Sequence, residues 1–163
     1  MSLIQIEGDL TKVTGRCIIG HQVNPRVLGP ILASALAKAY PECALEFNFR
    51  ARSNNQLKLG EVMLCKIRPN FYVAHCCGQE TTINGAVNTS MEAVHTYLQE
   101  LSRKALILSL PVLLPVGLGS NRGGADWSEV FPLIEKYMSE NTCFLVKLRK
   151  FMPIHVDELM ANL

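Results

Sequence analysis

The chain has 163 residues; 48% are hydrophobic, only 18% are charged, and 16 Lys and Arg stand against 14 Asp and Glu for a formal charge of +2. That length suits one domain, 1–163, which buries roughly 70% of its unfolded surface and needs no disulfide or metal to fold. The composition excludes a disordered chain, and the near-neutral balance gives no sign of a nucleic-acid surface. The longest uncharged stretch, 105–121, is interrupted by Pro111, Pro115 and two glycines, so no membrane span is expected. The first ten residues carry Glu7 and Asp9 and no basic run, so no secretory leader is expected. Six cysteines, at 17, 43, 65, 76, 77 and 143, form no C-x-x-C pair. A reduced, cytoplasmic protein is the expectation.

Residues 2–7 (SLIQIE) read as a short strand, and the β-branched run 16–23 (RCIIGHQV) as a buried one. Over 29–40, apolar residues at 31, 32, 35, 36 and 39 have helical spacing, with Pro30 in the first turn and Pro41 limiting the end. Residues 42–51 continue as a second helix. Residues 59–68 and 70–77 flank Pro69 as a strand pair. A helix over 89–104 opens on Thr89 and Glu92, the S/T-x-x-E capping spacing. Residues 111–116 (PVLLPV) form a strand buried on both faces. A helix follows over 126–140, with Asp126 and Glu129 as its cap pair, then a strand at 143–148 and a terminal helix at 153–163. Strands alternating with helices predict an α/β sandwich around a mixed sheet.

Four segments gather Gly, Asn, Asp and His at strand ends, where open α/β sheets bind ligands. In the first, Gly8-Asp9-Leu10-Thr11, the Asp9 carboxylate either accepts from an exocyclic amine such as that of adenine or closes a turn on its own backbone. In the second, His21 and Asn24 lead to Gly29 at a helix start, whose N–H groups suit an anion. His21 is either a general acid/base or a hydrogen-bonded core histidine. Asn24 either orients a hydroxyl or water or stabilises the turn before Pro25. The third segment runs Gly117, Leu118, Gly119, Ser120, Asn121, Arg122, Gly123, Gly124. Its glycines let backbone approach phosphate oxygens, and Arg122 offers a bidentate partner. It lacks the Lys-Ser/Thr of a Walker A loop and the register of the Rossmann fingerprint. Two such loops at strand-to-helix junctions strengthen the case for a diphosphate ligand. Ala125 and Asp126 close the third segment, and Asp126 is either a catalytic carboxylate or only a helix cap. The fourth segment holds His75, Cys76 and Cys77. Adjacent strand residues point to opposite faces, so a shared metal is set aside.

In this order the segments resemble the macro domain, from Ile4 to about Leu148. Gly8-Asp9-Leu10-Thr11 is similar to that family's G-D-[IL]-T. Gly20-His21-Gln22-Val23-Asn24 with Leu28-Gly29 and Ala33 is similar to its H-x-x-N…M-G-x-G-I-A loop, and Tyr40-Pro41 to the Y-P after that helix. Leu59-Gly60-Glu61-Val62 and Cys77-Gly78-Gln79 resemble its L-G-x-V and x-G-Q segments. Leu114-Pro115-Val116-Gly117-Leu118-Gly119, through Gly123-Gly124-Ala125-Asp126-Trp127, resembles P-x-I-G-x-G-x-x-G-G-x-W.

The resemblance implies a three-layer sandwich with a central mixed sheet between helices. It implies an enzyme on ADP-ribose derivatives: an ADP-ribose-1″-phosphate phosphatase or an ADP-ribosyl hydrolase. The alternatives are a binding module without turnover and a degenerate fold serving as an interaction scaffold. Asp9 and Leu10 would hold adenine, and Gly29 with Gly117 to Gly123 would hold diphosphate and distal ribose. His21, Asn24 and Asp126 would sit near the scissile bond. No cofactor or metal is expected, and the partner is ADP-ribose or an ADP-ribosylated ligand. The chain departs from the family at Pro30 and Ile31. Ile31 adds a Cβ where the family has glycine, and Pro30 removes an N–H. The reading therefore requires the Gly29 and Gly119 turns to share one sheet edge, with the crevice between them free of Ile31.

Overall fold

The computed structural model describes residues 2–80, 89–120 and 123–163. Its strands are β1 (Ser2–Gly8), β2 (Val13–Thr14), β3 (Cys17–Val23), β4 (Val62–Arg68), β5 (Phe71–Cys77), β6 (Val112–Pro115), β7 (Thr142–Leu148) and β8 (Ile154–His155). Its helices are α1 (Leu32–Ala39), α2 (Pro41–Ala51), α3 (Met91–Leu108), α4 (Trp127–Tyr137) and α5 (Val156–Ala161).

Among the described residues, six strands form one sheet in the order β1-β7-β6-β3-β5-β4. Only the β4–β5 pair is antiparallel. The mixed α/β sandwich expected from the alternation is therefore present. Helices α3 and α4 cover one face, where Val94, Tyr97, Leu98, Leu101, Val130 and Ile134 pack on Ile18, Val112, Leu114 and Leu145. Helices α1 and α5 cover the other, where Leu36 and Val156 meet Cys17, Ile19, Leu113 and Val146. Phe47 of α2 joins them beside Val23 and Cys77. Each β3 and β6 residue that alternates along the strand thus feeds a different layer, which is why both strands read as unbroken apolar runs.

Several boundaries differ from the sequence expectation, each for a local reason. Helix α1 begins at Leu32, three residues after Gly29, because Ile31 sits at φ 68° and breaks the helical path. Pro41 opens α2 at its first position, leaving Tyr40 extended between the helices. The α3 cap is Ser90, whose Oγ accepts from the Ala93 N–H, and the helix continues past Lys104 to Leu108. Asp126 does cap α4, accepting from the Ser128 N–H. The short β2–β8 pair was unforeseen; two residues carry no readable period.

All six cysteines are buried free thiols. Cys76 packs under α3 and Cys77 in the Phe47 cluster on the opposite side. Burial raises every one of these thiols, Cys77 to about 11 and Cys17 and Cys143 to about 12.

Candidate functional site

Strands β1, β7, β6, β3 and β5 all run the same way, so Asp9, the 24–31 loop, Gly78 and the turn at Gly117 emerge from one sheet edge. β3 and β6 are hydrogen-bonded neighbours. The chain leaving β3 passes to the α1 and α2 face, whereas the chain leaving β6 passes to the α4 face. Two adjacent parallel strands whose connections diverge open a crevice between their carboxyl ends. The Gly29 turn lies on the connection to the α1 and α2 face, and the Gly119 turn on the connection to the α4 face.

Ile31 does not plug the space at Gly29. Its side chain is 73% exposed, and a Cβ built on Gly29 would have nothing within 4 Å. No side chain caps the start of α1. Asn24 shapes this loop: its Oδ1 accepts from the N–H groups of Arg26 and Val27 at 2.8 and 2.9 Å. The turn-stabilising reading of Asn24 matches this geometry.

The glycine turn is tighter. The register Ile19↔Leu113 leaves Gln22 just past the end of β6, beneath the turn. Gln22 Nε2 donates to Thr89 Oγ1 at 2.8 Å and to Gln79 Oε1 at 3.1 Å. Its Oε1 accepts from the Tyr97 hydroxyl at 2.9 Å, a phenol that burial keeps protonated far above its usual range. Thr89 Oγ1 donates in turn to the Gly119 carbonyl at 2.9 Å. A Cβ on Gly78 or Gly119 would strike the Gln22 carboxamide, and one on Gly123 would strike Thr89 Oγ1 and the Gly119 carbonyl. Gly117 and Gly119 lie at φ 87° and 74°, the left-handed region that glycine enters freely. Leu118 points into the core and Ser120 turns back on Gly117. Asn121 and Arg122 lie outside the described residues.

Asp9 is held on both oxygens. Oδ1 accepts from the Thr11 N–H and Oγ1 at 2.9 and 2.6 Å, and Oδ2 accepts from the Phe151 N–H at 2.9 Å. Burial pushes its carboxyl upward, but these hydrogen bonds and Lys12 outweigh it and leave Asp9 below the usual range. A carboxylate has about four acceptor positions, so one remains for an amine. Phe151 stands beside it, 79% exposed and at φ 68°. The Leu10 side chain is buried, and its carbonyl accepts from Tyr40.

The three residues expected near a scissile bond are each held by different partners. His21 is 2% exposed and points toward α2, opposite to Gln22. His75 Nε2 donates to the Cys43 carbonyl at 3.0 Å, so its Nδ1 accepts from His21 Nε2 at 2.7 Å. Burial, with His75 adding to it, pushes His21 well below its usual range, and burial pushes His75 down to about 4. This geometry matches the hydrogen-bonded core-histidine reading of His21. Asp126 is exposed; the Ser128 hydroxyl and N–H both rest on its Oδ1 and lower its carboxyl.

The chain aligns with a Bacteroides thetaiotaomicron protein of unknown function at a TM-score of 0.81 and 22% identity, covering 91% of this chain and 99% of that one. A macrodomain protein from Streptomyces coelicolor gives a TM-score of 0.75 at 25% identity, over 90% of this chain and 99% of that one. The chain has the macrodomain fold. A Trypanosoma brucei macrodomain in complex with ADP-ribose aligns at a TM-score of 0.66 and 17% identity, over 91% of this chain and 64% of that one. No protein-family model and no curated protein matches the sequence. The residues beside these turns that the sequence left without a ligand role are Gln22, Thr89 and Phe151. A Gln inside a strand followed by glycines at 78, 119 and 123 is the only signal that pointed to the first.

Proposed function

We propose that this chain binds ADP-ribose, free or attached to a macromolecule, between the 24–31 loop and the glycine turn at 117–120. The observation that supports the proposal is the divergence of the β3 and β6 connections at one sheet edge, the place where open α/β sheets take ligands. Asp9 takes the adenine amine, with the exposed Phe151 ring offering an aromatic face beside it. The start of α1 and the glycine turn receive the diphosphate. The ADP-ribose held by the Trypanosoma brucei macrodomain is consistent with this ligand class.

Binding is favoured over turnover by His21 and Asn24, because both are engaged inside the protein. Hydrolysis, the second reading, rests on Asp126, the one of the three that is exposed. Calorimetry with ADP-ribose, run beside phosphate release from ADP-ribose-1″-phosphate and release of ADP-ribose from a modified protein, tests both. Heat of binding without product supports the binding module; product that disappears in Asp126→Asn supports hydrolysis. Asn caps a helix as well as Asp does, so that variant keeps α4 intact. No binding of ADP-ribose would overturn the proposal.

A further inference from the structure

We propose that Gln22 is a positioning residue for the diphosphate: acting through Thr89, it keeps the Gly119 carbonyl turned into the protein and so keeps carbonyl oxygen off the anion path. The inference rests on the crevice being the ADP-ribose site.

Proton bookkeeping fixes the direction of the chain. The single Thr89 hydroxyl proton lies on the Gly119 carbonyl, so Thr89 must accept from Gln22, and the amide must present Nε2 to it. The opposite edge of that amide then accepts from Tyr97, whose only proton it takes. Both donors and the acceptor of Gln22 are matched, so the carboxamide has one satisfied orientation. The Gly119 carbonyl accepts from Thr89 at 2.9 Å and from the Ala125 N–H at 3.1 Å, which occupies both of its lone pairs. Thr89 is tied down independently, with its N–H donating to the Gly123 carbonyl at 3.1 Å.

Phosphate is attracted to N–H groups and repelled by carbonyl oxygens. A turn at left-handed φ is prone to rotate its peptide planes, because glycine opposes neither orientation. Without the hydroxyl at 89, the inward Gly119 carbonyl loses one of two donors, and an outward carbonyl becomes competitive. The consequence is specific to the anion. Affinity for the adenosine part of the ligand, held at Asp9, does not depend on which way Gly119 faces.

The test compares Thr89→Val, which keeps the shape and removes the hydroxyl, with Thr89→Ser, which restores it. Affinities for ADP-ribose and for adenosine are measured by titration followed by NMR, and amide exchange of Ala125 is followed in the free protein. Thr89→Val is expected to weaken ADP-ribose about tenfold while adenosine changes less than about twofold, with faster exchange at Ala125. Thr89→Ser is expected to return both readouts to within about twofold of the parent. Equal loss for both ligands, or unchanged ADP-ribose affinity in Thr89→Val, overturns the inference. If Thr89→Val does not fold, Gln22→Met carries the same readouts and expectations. If the parent binds neither ligand, the crevice reading fails; Ala125 exchange then still decides the Gln22 and Thr89 part, and unchanged exchange overturns it.

Discussion

Gln22 and His21 are neighbours on β3, yet they brace opposite walls of the crevice by different chemistry. On the α3 side, Gln22 joins three parts of the chain through neutral groups: Tyr97, Thr89 and Gln79. On the α2 side, His21 passes a hydrogen bond to His75 and on to the Cys43 carbonyl, through rings that titrate. The turn above Gln22 is packed so closely that a Cβ is excluded at Gly119 and Gly123, whereas Gly29 borders open space. One wall is therefore closely packed and held by neutral groups, and the other borders open space at Gly29 and is held at its root by two histidines.

Gly119→Glu should break the comparison most strongly. It forces a side chain into a left-handed position, pushes on the Gln22 carboxamide and sets a negative charge on the proposed diphosphate path. Calorimetry is expected to show ADP-ribose affinity reduced by more than about 100-fold, since like charges in contact cost several kcal/mol. Retained affinity in a folded variant would remove the glycine turn from the site.

Acid sharpens the contrast next. The folded pKa of His75 lies near 4, below the unfolded value of 6.5. The unfolded chain therefore binds the extra proton first. The stability held above pH 6.5 is lost as pH falls from 6.5 toward 4, by roughly 3 kcal/mol for this one ring. Urea unfolding across that range measures the loss. A flat profile above pH 4 would contradict a neutral buried pair.

Smaller effects are expected at the rim. Asn24→Ala removes the acceptor for two loop N–H groups and should cost about 1 kcal/mol in thermal unfolding, as lost caps do. Gly29→Ala should stay within about 0.5 kcal/mol, because the new methyl meets nothing and Gly29 is not in the left-handed region. A larger loss at Gly29 would mean that the two rims are equally packed.

The layers of the fold were legible because apolar spacing reports burial directly, as in α3, where Val94, Tyr97, Leu98 and Leu101 share one face. The turns at the strand ends were legible, because Gly, Asn and Asp there have backbone reasons to be where they are. What stayed hidden was decided by distant partners. Tyr97 lies 75 residues from Gln22 and Thr89 lies 67 from it, so nothing local marks Gln22 as a brace. Thr89 looked like a cap, but Ser90 caps α3 and frees the Thr89 hydroxyl for Gly119. His21 could be read as a base because it stands at a strand end; its partner in space is His75.

The buried thiols give the molecule an internal clock. With every sulfur buried and its pKa raised, an alkylating reagent reacts only as fast as the structure opens. Cys76 and Cys77 are adjacent in the chain but sit in different layers. Their relative labelling rates would report which layer lifts from the sheet first.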